Sequence, residues 1–249
     1  MLLFKNANLS FNPTIKEIVC RPTIGSQHNF PGCETHNKTT CKQINHLVSL
    51  FMSNSNETTV HEGKTFTNIN YAEKRLENRE FIHCEFVNCD FSRSDLSRND
   101  FMNCRFKQCN FSLTVVTGTG FKEATFTGCK VLGIDFSKCN KFLFSFSFEQ
   151  CQLDYSTFYG TKLRKTKFTD CSVKETDFEE ADLTSSIFHN CDLSGATFVR
   201  SVLEKTDFRT ARNFSLDPAV NKVKQAKFSA MNLSGLLYQY QLDIDYNGH

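Results

Sequence analysis

The chain has 249 residues, with 29 basic and 27 acidic side chains and a formal net charge of +2. It contains no apolar run long enough to cross a bilayer and no charged-then-apolar signal sequence. We therefore expect a soluble, cytosolic protein rather than a membrane-spanning or secreted one.

Residues 1–60 differ in composition from the rest of the chain. They hold three of the four prolines and none of the repeat described below. They are predicted to be a disordered, non-repeat extension, and Met52 is the predicted native start. Several thiol and imidazole groups here could bind zinc, but their spacings match no standard ligand pair, so no metal site is predicted. They are Cys20, His28, Cys33, His36, Cys41 and His46.

From Phe81 onward nearly every fifth residue is Phe, Leu or Val, a spacing that fits neither a helix nor an ordinary strand. The first run has twelve matches in twelve positions and ends at Phe136. The residue two positions earlier is usually small or a thiol, as at Cys84 and Ala124, and the other three positions are mostly polar. Both the large and the small residue are therefore predicted to point inward. Such fixed-period repetition indicates a solenoid.

A second run, displaced by two residues, has thirteen matches from Phe148 to Phe208. Phe136 and Phe148 are twelve residues apart, which is not a multiple of five. This predicts a register shift near residues 137–147. We interpret it as a bulge or a two-residue insertion that joins two segments of one solenoid.

The pattern breaks at 213–225 and resumes at Phe228, which predicts an insertion on a continuing frame. Asp217 followed by Pro218 is a favourable helix start, so a short helical turn is predicted near 218–224. Apolar residues with the spacing i, i+3, i+4, i+7 then predict an amphipathic C-terminal helix within 233–249. We expect this helix to cap the last coil and to offer a two-fold partner contact through Leu233, Leu236, Leu237 and Tyr240.

Four tripeptides carry a recognisable repeat: Ala181-Asp182-Leu183, Cys191-Asp192-Leu193, Cys89-Asp90-Phe91 and Cys109-Asn110-Phe111. They resemble the A(D/N)LXX motif of the pentapeptide-repeat family, and the resemblance covers roughly residues 66–235. It implies an all-β solenoid over 61–235: a right-handed quadrilateral parallel β-helix of twenty-residue coils with a C-terminal capping helix. Phe would then occupy two opposite faces over most of the second run.

The cysteines test the twenty-residue coil independently. Nine thiols follow residue 80, all in the small inward slot, and eight of them lie twenty residues apart. The predicted columns are Cys84 with Cys104, Cys89 with Cys109 and Cys129, and Cys151 with Cys171 and Cys191. Because buried free Cys behaves as a small hydrophobe, thiols are predicted rather than disulfides.

No catalytic, cofactor or metal site is predicted. Gly63-Lys64-Thr65 lacks the glycine that a phosphate-binding loop requires five residues earlier. His83 and His189 fall at outward positions without a paired nucleophile and are predicted to be surface residues. Thiols buried in apolar surroundings have raised pKa values and are poor nucleophiles. A solenoid with a regular exterior suits binding rather than catalysis.

Three segments look like the topoisomerase-protecting branch of the family, which includes quinolone-resistance, albicidin-resistance and microcin-immunity proteins: 132–136, 147–153 and 217–237. The similarity implies a dimeric bacterial cytoplasmic protein that binds DNA gyrase or topoisomerase IV as a DNA mimic, without binding nucleic acid or membrane itself. It would protect the enzyme from quinolones or gyrase-poisoning toxins. The predicted partner-binding acids are Asp177, Glu179, Glu180, Asp182, Asp192, Glu204 and Asp207.

Three features depart from that branch. Residues 61–249 hold 24 basic and 24 acidic side chains, so the repeat region is neutral overall. The first run lacks a long projecting loop. A basic belt formed by Lys162, Arg164, Lys165 and Lys167 precedes the acidic segment. The alternative function is therefore a pentapeptide-repeat interaction scaffold with no topoisomerase partner.

Overall fold

The structure is a computed structural model that describes residues 58–244. Their backbone winds into a parallel β-solenoid in which each coil pairs with the residues twenty positions further on, as Phe81 does with Phe101. The predicted all-β solenoid is confirmed. The predictions of a disordered extension, a native start at Met52 and no zinc site among residues 20–46 lie outside the described residues.

The solenoid contains ten short strands in one parallel sheet. They are β1 Thr59–Glu62, β2 Thr65–Thr67, β3 Arg79–Ile82, β4 Glu85–Val87, β5 Asp100–Met102, β6 Arg105–Lys107, β7 Gly120–Thr127, β8 Phe144–Glu149, β9 Lys167–Thr169 and β10 Ile187–His189. The other sides of each coil are joined by isolated parallel bridges such as Asn70 to Asp90. Within residues 58–244 no helix is long and apolar enough to span a bilayer.

Each coil has four sides, and stacked sides form four faces that we number by their inward-pointing central residues. Face 1 holds His61, Phe81, Phe101, Phe121, Leu163, Leu183 and Leu203. Face 2 holds Phe66, Phe86, Phe106, Phe126, Phe148, Phe168, Phe188, Phe208 and Phe228. Face 3 holds Tyr71, Phe91, Phe111, Val131, Leu153, Val173 and Leu193. Face 4 holds Leu76, Leu96, Val116, Phe136, Phe158, Phe178 and Phe198.

Face 2 is a continuous aromatic ladder. Successive Phe rings lie parallel, with centroids 4.7–5.4 Å apart. This distance is close to the ~4.8 Å separation of neighbouring strands, so each ring covers the one below it. After Phe148, Phe also fills the opposite face 4, as predicted for the second run; before it, faces 1, 2 and 3 carry most of the Phe residues. The arrangement fills the interior with closely packed rings.

The corners between faces require a left-handed backbone. The residue two positions after most central residues has a φ of about +50 to +70°, as at Asn88, Lys165 and Gly133. Asn and Gly tolerate this conformation best, yet several corners carry Arg, Glu or Lys. The tight corners direct the three polar positions of each repeat outward. The small inward positions are buried, from Cys84 to Ser201.

The register shift between the two runs is a two-residue insertion within one continuous solenoid. Phe126 pairs with Phe148, 22 residues on, whereas Phe121 pairs with Phe144 across an irregularity. Gly120 accommodates the extra residues, because a Cβ there would lie 2.8 Å from Leu143 Cδ1. The insertion exposes the Phe142 side chain almost completely.

The region 213–225 contains no insertion, which corrects the sequence interpretation. Val202 pairs with Lys222 and Asp207 with Lys227, both twenty residues apart. The apolar pattern breaks because the expected central positions hold Asn213 and Pro218, while Phe214 and Leu216 are buried instead. The predicted helical turn at 218–224 is a turn limited to 218–220, since residue 222 already belongs to the next bridge.

The C-terminal cap consists of two 3-10 helices, Ala230–Leu236 and Tyr238–Tyr240. It begins three residues before the predicted boundary, and its tighter winding does not place the four predicted apolar residues on one buried stripe. Ser229 caps the first helix through Met231 N–H. The cap docks on the last coil through a hydrogen bond from Leu216 N–H to the Gly235 carbonyl, 3.0 Å long.

Candidate functional site

The described residues offer no catalytic constellation. All nine described cysteines are free and buried, and no group of three or more His, Cys, Asp or Glu side chains in residues 58–244 could hold a metal ion. Burial raises the pKa of the Cys139 thiol, and hydrogen bonding to Cys151 together with burial raises that of Cys171. His83 and His189 are exposed, as predicted.

The thiol columns are longer than the sequence indicated. Because the insertion adds only two residues, two of the three predicted columns, the one ending at Cys129 and the one beginning at Cys151, join into one. Lys130 bridges Gln152, which places Cys129 beneath Cys151. Five of the six thiols in this column contact a backbone carbonyl of the preceding coil, as Cys191 Sγ contacts the Phe168 carbonyl at 3.4 Å. The continuous column comprises Cys89, Cys109, Cys129, Cys151, Cys171 and Cys191. These thiols pack the interior and present no reactive surface.

The predicted partner-binding acids do not form one stripe. Asp177 and Glu179 lie on face 4, and Glu180 lies at its corner with face 1. The others are distributed over the remaining faces: Asp182 and Glu204 on face 1, Asp207 on face 2 and Asp192 on face 3. Acids that are close in the sequence do not share a surface, because the backbone passes from one face to the next every five residues.

Most of these acids are already neutralised. Asp182 pairs with Arg164 at 2.6 Å and Asp207 with Arg209 at 2.7 Å. Asp192 pairs with Lys174 at 3.2 Å. Arg200 bridges the two glutamates at 179 and 180. The three one-to-one pairs therefore present little net charge to a partner, whereas Arg200 with its two glutamates leaves one net negative charge.

Hydrogen bonds stabilise the ionised form of two of these paired carboxylates. Although burial opposes ionisation of Asp192, hydrogen bonds from Ser194, Asn213 and Lys174 lower the pKa of its carboxyl. The hydrogen bond from Arg209 lowers the pKa of Asp207. Both carboxylates remain charged at neutral pH, but their charge is shared with local donors.

Charge is instead segregated by face in the second half of the solenoid. The outward positions of faces 3 and 4 from residue 152 to 219, with the corner that these faces share, carry six acidic side chains against two basic ones, Lys174 and Arg212. Glu180 and Arg200 lie at the corner toward face 1. The six are Asp154, Glu175, Asp177, Glu179, Asp192 and Asp217. Four of them form no ion pair within the described residues: Asp154, Glu175, Asp177 and Asp217. We call these six residues the acidic side.

Three members of the acidic side escaped the sequence prediction: Asp154, Glu175 and Asp217. The signal that could have found them is the twenty-residue phase of the repeat. Counting from the central residues assigns 154 and 175 to face 3, and it assigns 217 to the outward column of face 4 that holds 157, 177 and 197. Asp154 and Asp217 also shape the backbone, since they accept hydrogen bonds from Lys174 N–H and Ala219 N–H at 2.8 and 2.7 Å.

The C-terminal cap exposes an apolar surface. Of the predicted contact residues, Leu233, Leu237 and Tyr240 are exposed and Leu236 is half-buried. Met231, Tyr238 and Leu242 add to this surface and were not predicted. A depression of about 430 Å³ beside it is lined by Phe214, Leu237, Tyr238 and Leu242, among others.

Two solved structures are among those that resemble this chain. A search of curated protein sequences finds no match. Among solved structures, a trypsin-treated form of QnrB1, a plasmid-mediated fluoroquinolone resistance protein, is 20% identical with a TM-score of 0.46, covering 76% of this chain and 99% of that one. HetL, a pentapeptide repeat protein involved in heterocyst differentiation regulation in Nostoc sp. strain PCC 7120, is 13% identical with a TM-score of 0.45, covering 75% and 92%.

A family profile decides the classification. The profile described as the pentapeptide repeat region matches residues 79–146 and 141–212, more than half of the chain. The matches extend across the two-residue insertion, in agreement with the continuous solenoid. The chain belongs to the pentapeptide-repeat family.

Proposed function

We propose that this protein is a non-enzymatic binding protein of the bacterial cytoplasm that engages a type II topoisomerase, DNA gyrase, as a DNA mimic. In this role it protects the enzyme against quinolones or gyrase-poisoning toxins. The proposal draws on the resemblance of residues 132–136, 147–153 and 217–237 to the topoisomerase-protecting branch. The observation that carries it is the acidic side, because a surface that binds DNA is built to receive closely spaced negative charge.

The acidic side suits this role better than the acids predicted from sequence. Its carboxylates lie on two adjacent faces, and neighbouring coils place them at intervals of about 4.8 Å along the solenoid. DNA presents one negative charge per about 1.7 Å of axis over both strands, so the acidic side imitates only the part of the duplex that faces the enzyme.

A homodimer through the C-terminal cap would extend this surface. The exposed apolar residues of the cap, Met231, Tyr238, Tyr240 and Leu242, lie beyond the last coil. A contact through this end would leave all four faces accessible. Light scattering should give twice the chain mass, and replacing Leu237 and Tyr240 with Glu should reduce it to the chain mass by placing like charges in the contact.

The test is a gyrase supercoiling assay with the full chain, in the presence and absence of a fluoroquinolone. We expect the protein to restore supercoiling at a drug concentration that stops gyrase alone. The double variant Glu175→Lys/Glu179→Lys, on the acidic side, should abolish this rescue. The matched control Glu149→Lys/Glu204→Lys changes the net charge equally but on faces 1 and 2, and it should retain rescue.

The same assay examines the alternative, an interaction scaffold with no topoisomerase partner. The neutral repeat region and the paired acids favour that alternative. Absence of rescue at any protein concentration, with a folded and dimeric sample, would support the scaffold. Equal loss of rescue in both double variants would show that net charge matters and the acidic side does not.

A further inference from the structure

The opposite side of the same coils carries the opposite charge. Between residues 162 and 227, the outward positions of faces 1 and 2, with the corner that these faces share, hold nine basic side chains and three acidic ones, Asp182, Glu204 and Asp207. Asp170 lies at the corner toward face 3. We call this surface the lysine face. Its basic residues are Lys162, Arg164, Lys165, Lys167, Lys205, Arg209, Lys222, Lys224 and Lys227.

The lysines of this face are not neutralised. Arg164 and Arg209 satisfy two of the three acids, Asp182 and Asp207. The seven lysines are exposed, and within residues 58–244 none has a carboxylate oxygen within 4.0 Å of its ammonium group. These lysines differ in this respect from the predicted partner-binding acids, most of which form ion pairs with cations. The lysine face therefore projects a positive potential into solvent.

The lysines are concentrated in two belts at residues 162–167 and 222–227. Consecutive bridges link the belts: Lys162 to Asp182, Asp182 to Val202, and Val202 to Lys222. The belts are therefore three coils apart, or about 14 Å at the usual strand separation. This distance is comparable with the ~12 Å width of the major groove of duplex DNA, so the belts can reach the phosphate backbones on its two sides.

We propose that the lysine face binds the phosphate backbone of duplex nucleic acid without regard to sequence. Lys ammonium groups are point charges suited to phosphate contact, and the flat face has no element that could enter a groove and read base edges. This departs from the expectation that the protein binds no nucleic acid directly.

Two other anionic partners fit the face less well. The cores of protein interfaces contain aromatic and other apolar anchors, and surface membrane binding requires a broad apolar strip. The lysine face exposes only one large apolar side chain, Ile187, and that one to 37%. Its recognition chemistry is therefore charge alone, which a dense phosphate backbone satisfies best.

The experiment is fluorescence anisotropy of a fluorescein-labelled 20-base-pair duplex titrated with the full chain between 50 and 300 mM NaCl. If four or five lysines contact phosphates at once, log Kd should change with log salt concentration with a slope of about 4. A second duplex of unrelated sequence should bind with the same Kd. Polyglutamate serves as the competitor that represents an acidic protein.

The test variant is Lys162→Glu/Lys222→Glu, which reverses one lysine of each belt in a single column of face 1. The matched control is Lys130→Glu/Arg212→Glu, in a single column of face 3, with the same change in net charge. We expect the test variant to weaken duplex binding at least tenfold and to reduce the salt slope by about 2, and the control to stay within twofold. Far-UV circular dichroism establishes that both variants are folded.

Three results would overturn the proposal. They are no binding by the folded wild-type protein at 50 mM NaCl, equal weakening by the two double variants, and displacement of the duplex by polyglutamate at equal charge concentration. The last result would assign the face to an acidic protein partner. Because the assay contains no gyrase, its outcome is independent of the topoisomerase proposal.

Discussion

The aromatic ladder of face 2 should dominate the stability of the solenoid, and Phe168 tests this most directly. Its side chain is fully buried at the middle of the ladder. Its ring stacks on Phe148 at 5.4 Å and on Phe188 at 4.7 Å, and it meets the edges of Phe158 and Phe178 at 6.4 and 6.2 Å. A substitution at Phe168 therefore disturbs three successive coils and two faces.

We expect Phe168→Ala to lower the free energy of unfolding by about 4 kcal/mol. Truncation of a buried Phe costs about 3–5 kcal/mol through lost transfer free energy and the cavity that remains. The two stacked pairs exclude the lower end of that range, since each aromatic pair adds about 0.5–1.5 kcal/mol beyond area burial. Stacked coils cannot collapse sideways into the cavity, because their backbone spacing is fixed by hydrogen bonds to both neighbours.

The assay is urea unfolding followed by far-UV circular dichroism, with free energies from linear extrapolation. Phe228→Ala is the matched control, because Phe228 stacks on one ring, Phe208 at 5.3 Å, has a tilted contact with Phe214 at 5.5 Å and is only half-buried. It should cost about 1–2 kcal/mol, in proportion to its smaller burial. A loss below about 2 kcal/mol for Phe168→Ala, or equal losses for both variants, would refute the argument that the ladder carries the stability.

Four further predictions concern single features of the solenoid. Phe168→Asp or Phe178→Asp should prevent folding, seen as loss of the β-type circular dichroism spectrum, because either buries an unpaired carboxylate. Glu179→Lys/Glu180→Lys should change the unfolding free energy by less than about 1 kcal/mol, since it removes only the exposed pairs with Arg200; a larger loss would give these pairs a structural role. Burial, with Lys64 and Arg79 nearby, lowers the pKa of His61 from 6.5 to about 4. Between these pH values only the unfolded state binds the extra proton, so the free energy of unfolding should fall by about 2 kcal/mol as the pH drops from 6.5 to 4. His61→Phe should remove this pH dependence from the hydrogen exchange of β1, and a dependence that persists would exclude His61 as its source. The nine buried thiols should resist a thiol reagent in native buffer and react in urea, so that at most three of the twelve cysteines react natively; faster reaction would show that the coils open.

The core of this fold can be predicted from the sequence because a large apolar residue recurs at every fifth position. Phe86, Phe106 and Phe126 are predicted to be buried and stacked, and they are. The small inward residues follow by the same argument, although two large side chains, Arg79 and Phe146, are also buried in this slot. The two-residue shift near residue 140 is also visible as a change of phase. The local packing at this shift, in which Leu143 lies over Gly120, cannot be predicted from the sequence because it depends on contacts between coils.

The C-terminal region shows where sequence periodicity is insufficient. The break at 213–225 results from Asn213 and Pro218 at the expected central positions, and not from added chain. Phe214 and Leu216 are buried in their place. Asn221 fills the small inward slot without changing the coil length, because its amide is hydrogen-bonded. The spacing of Leu233 to Tyr240 fits an α-helix, yet docking against Phe214 and Ala211 selects 3-10 turns.

The predicted partner-binding acids lie on different faces of the solenoid for a geometric reason. A run of acids along the chain passes over all four faces within twenty residues, so Asp182 and Asp192 end on different sides of the solenoid. Cations that are 15–20 residues distant in sequence become neighbours, as Lys174 does for Asp192. Ion pairing between coils therefore cancels charge that a linear reading counts as available.

The net charge of a four-sided solenoid consequently says little about its partners. This chain is nearly neutral, yet in its second half six acids against two bases occupy one pair of faces, and nine bases against three acids occupy the other pair. Such segregation costs little in folding, because the outward positions take no part in the core that Phe and the small inward residues build. Charge can therefore vary on each face independently of stability. A solenoid of this kind can present an acidic surface to one partner and a basic surface to another, and the two double variants on opposite faces separate these roles.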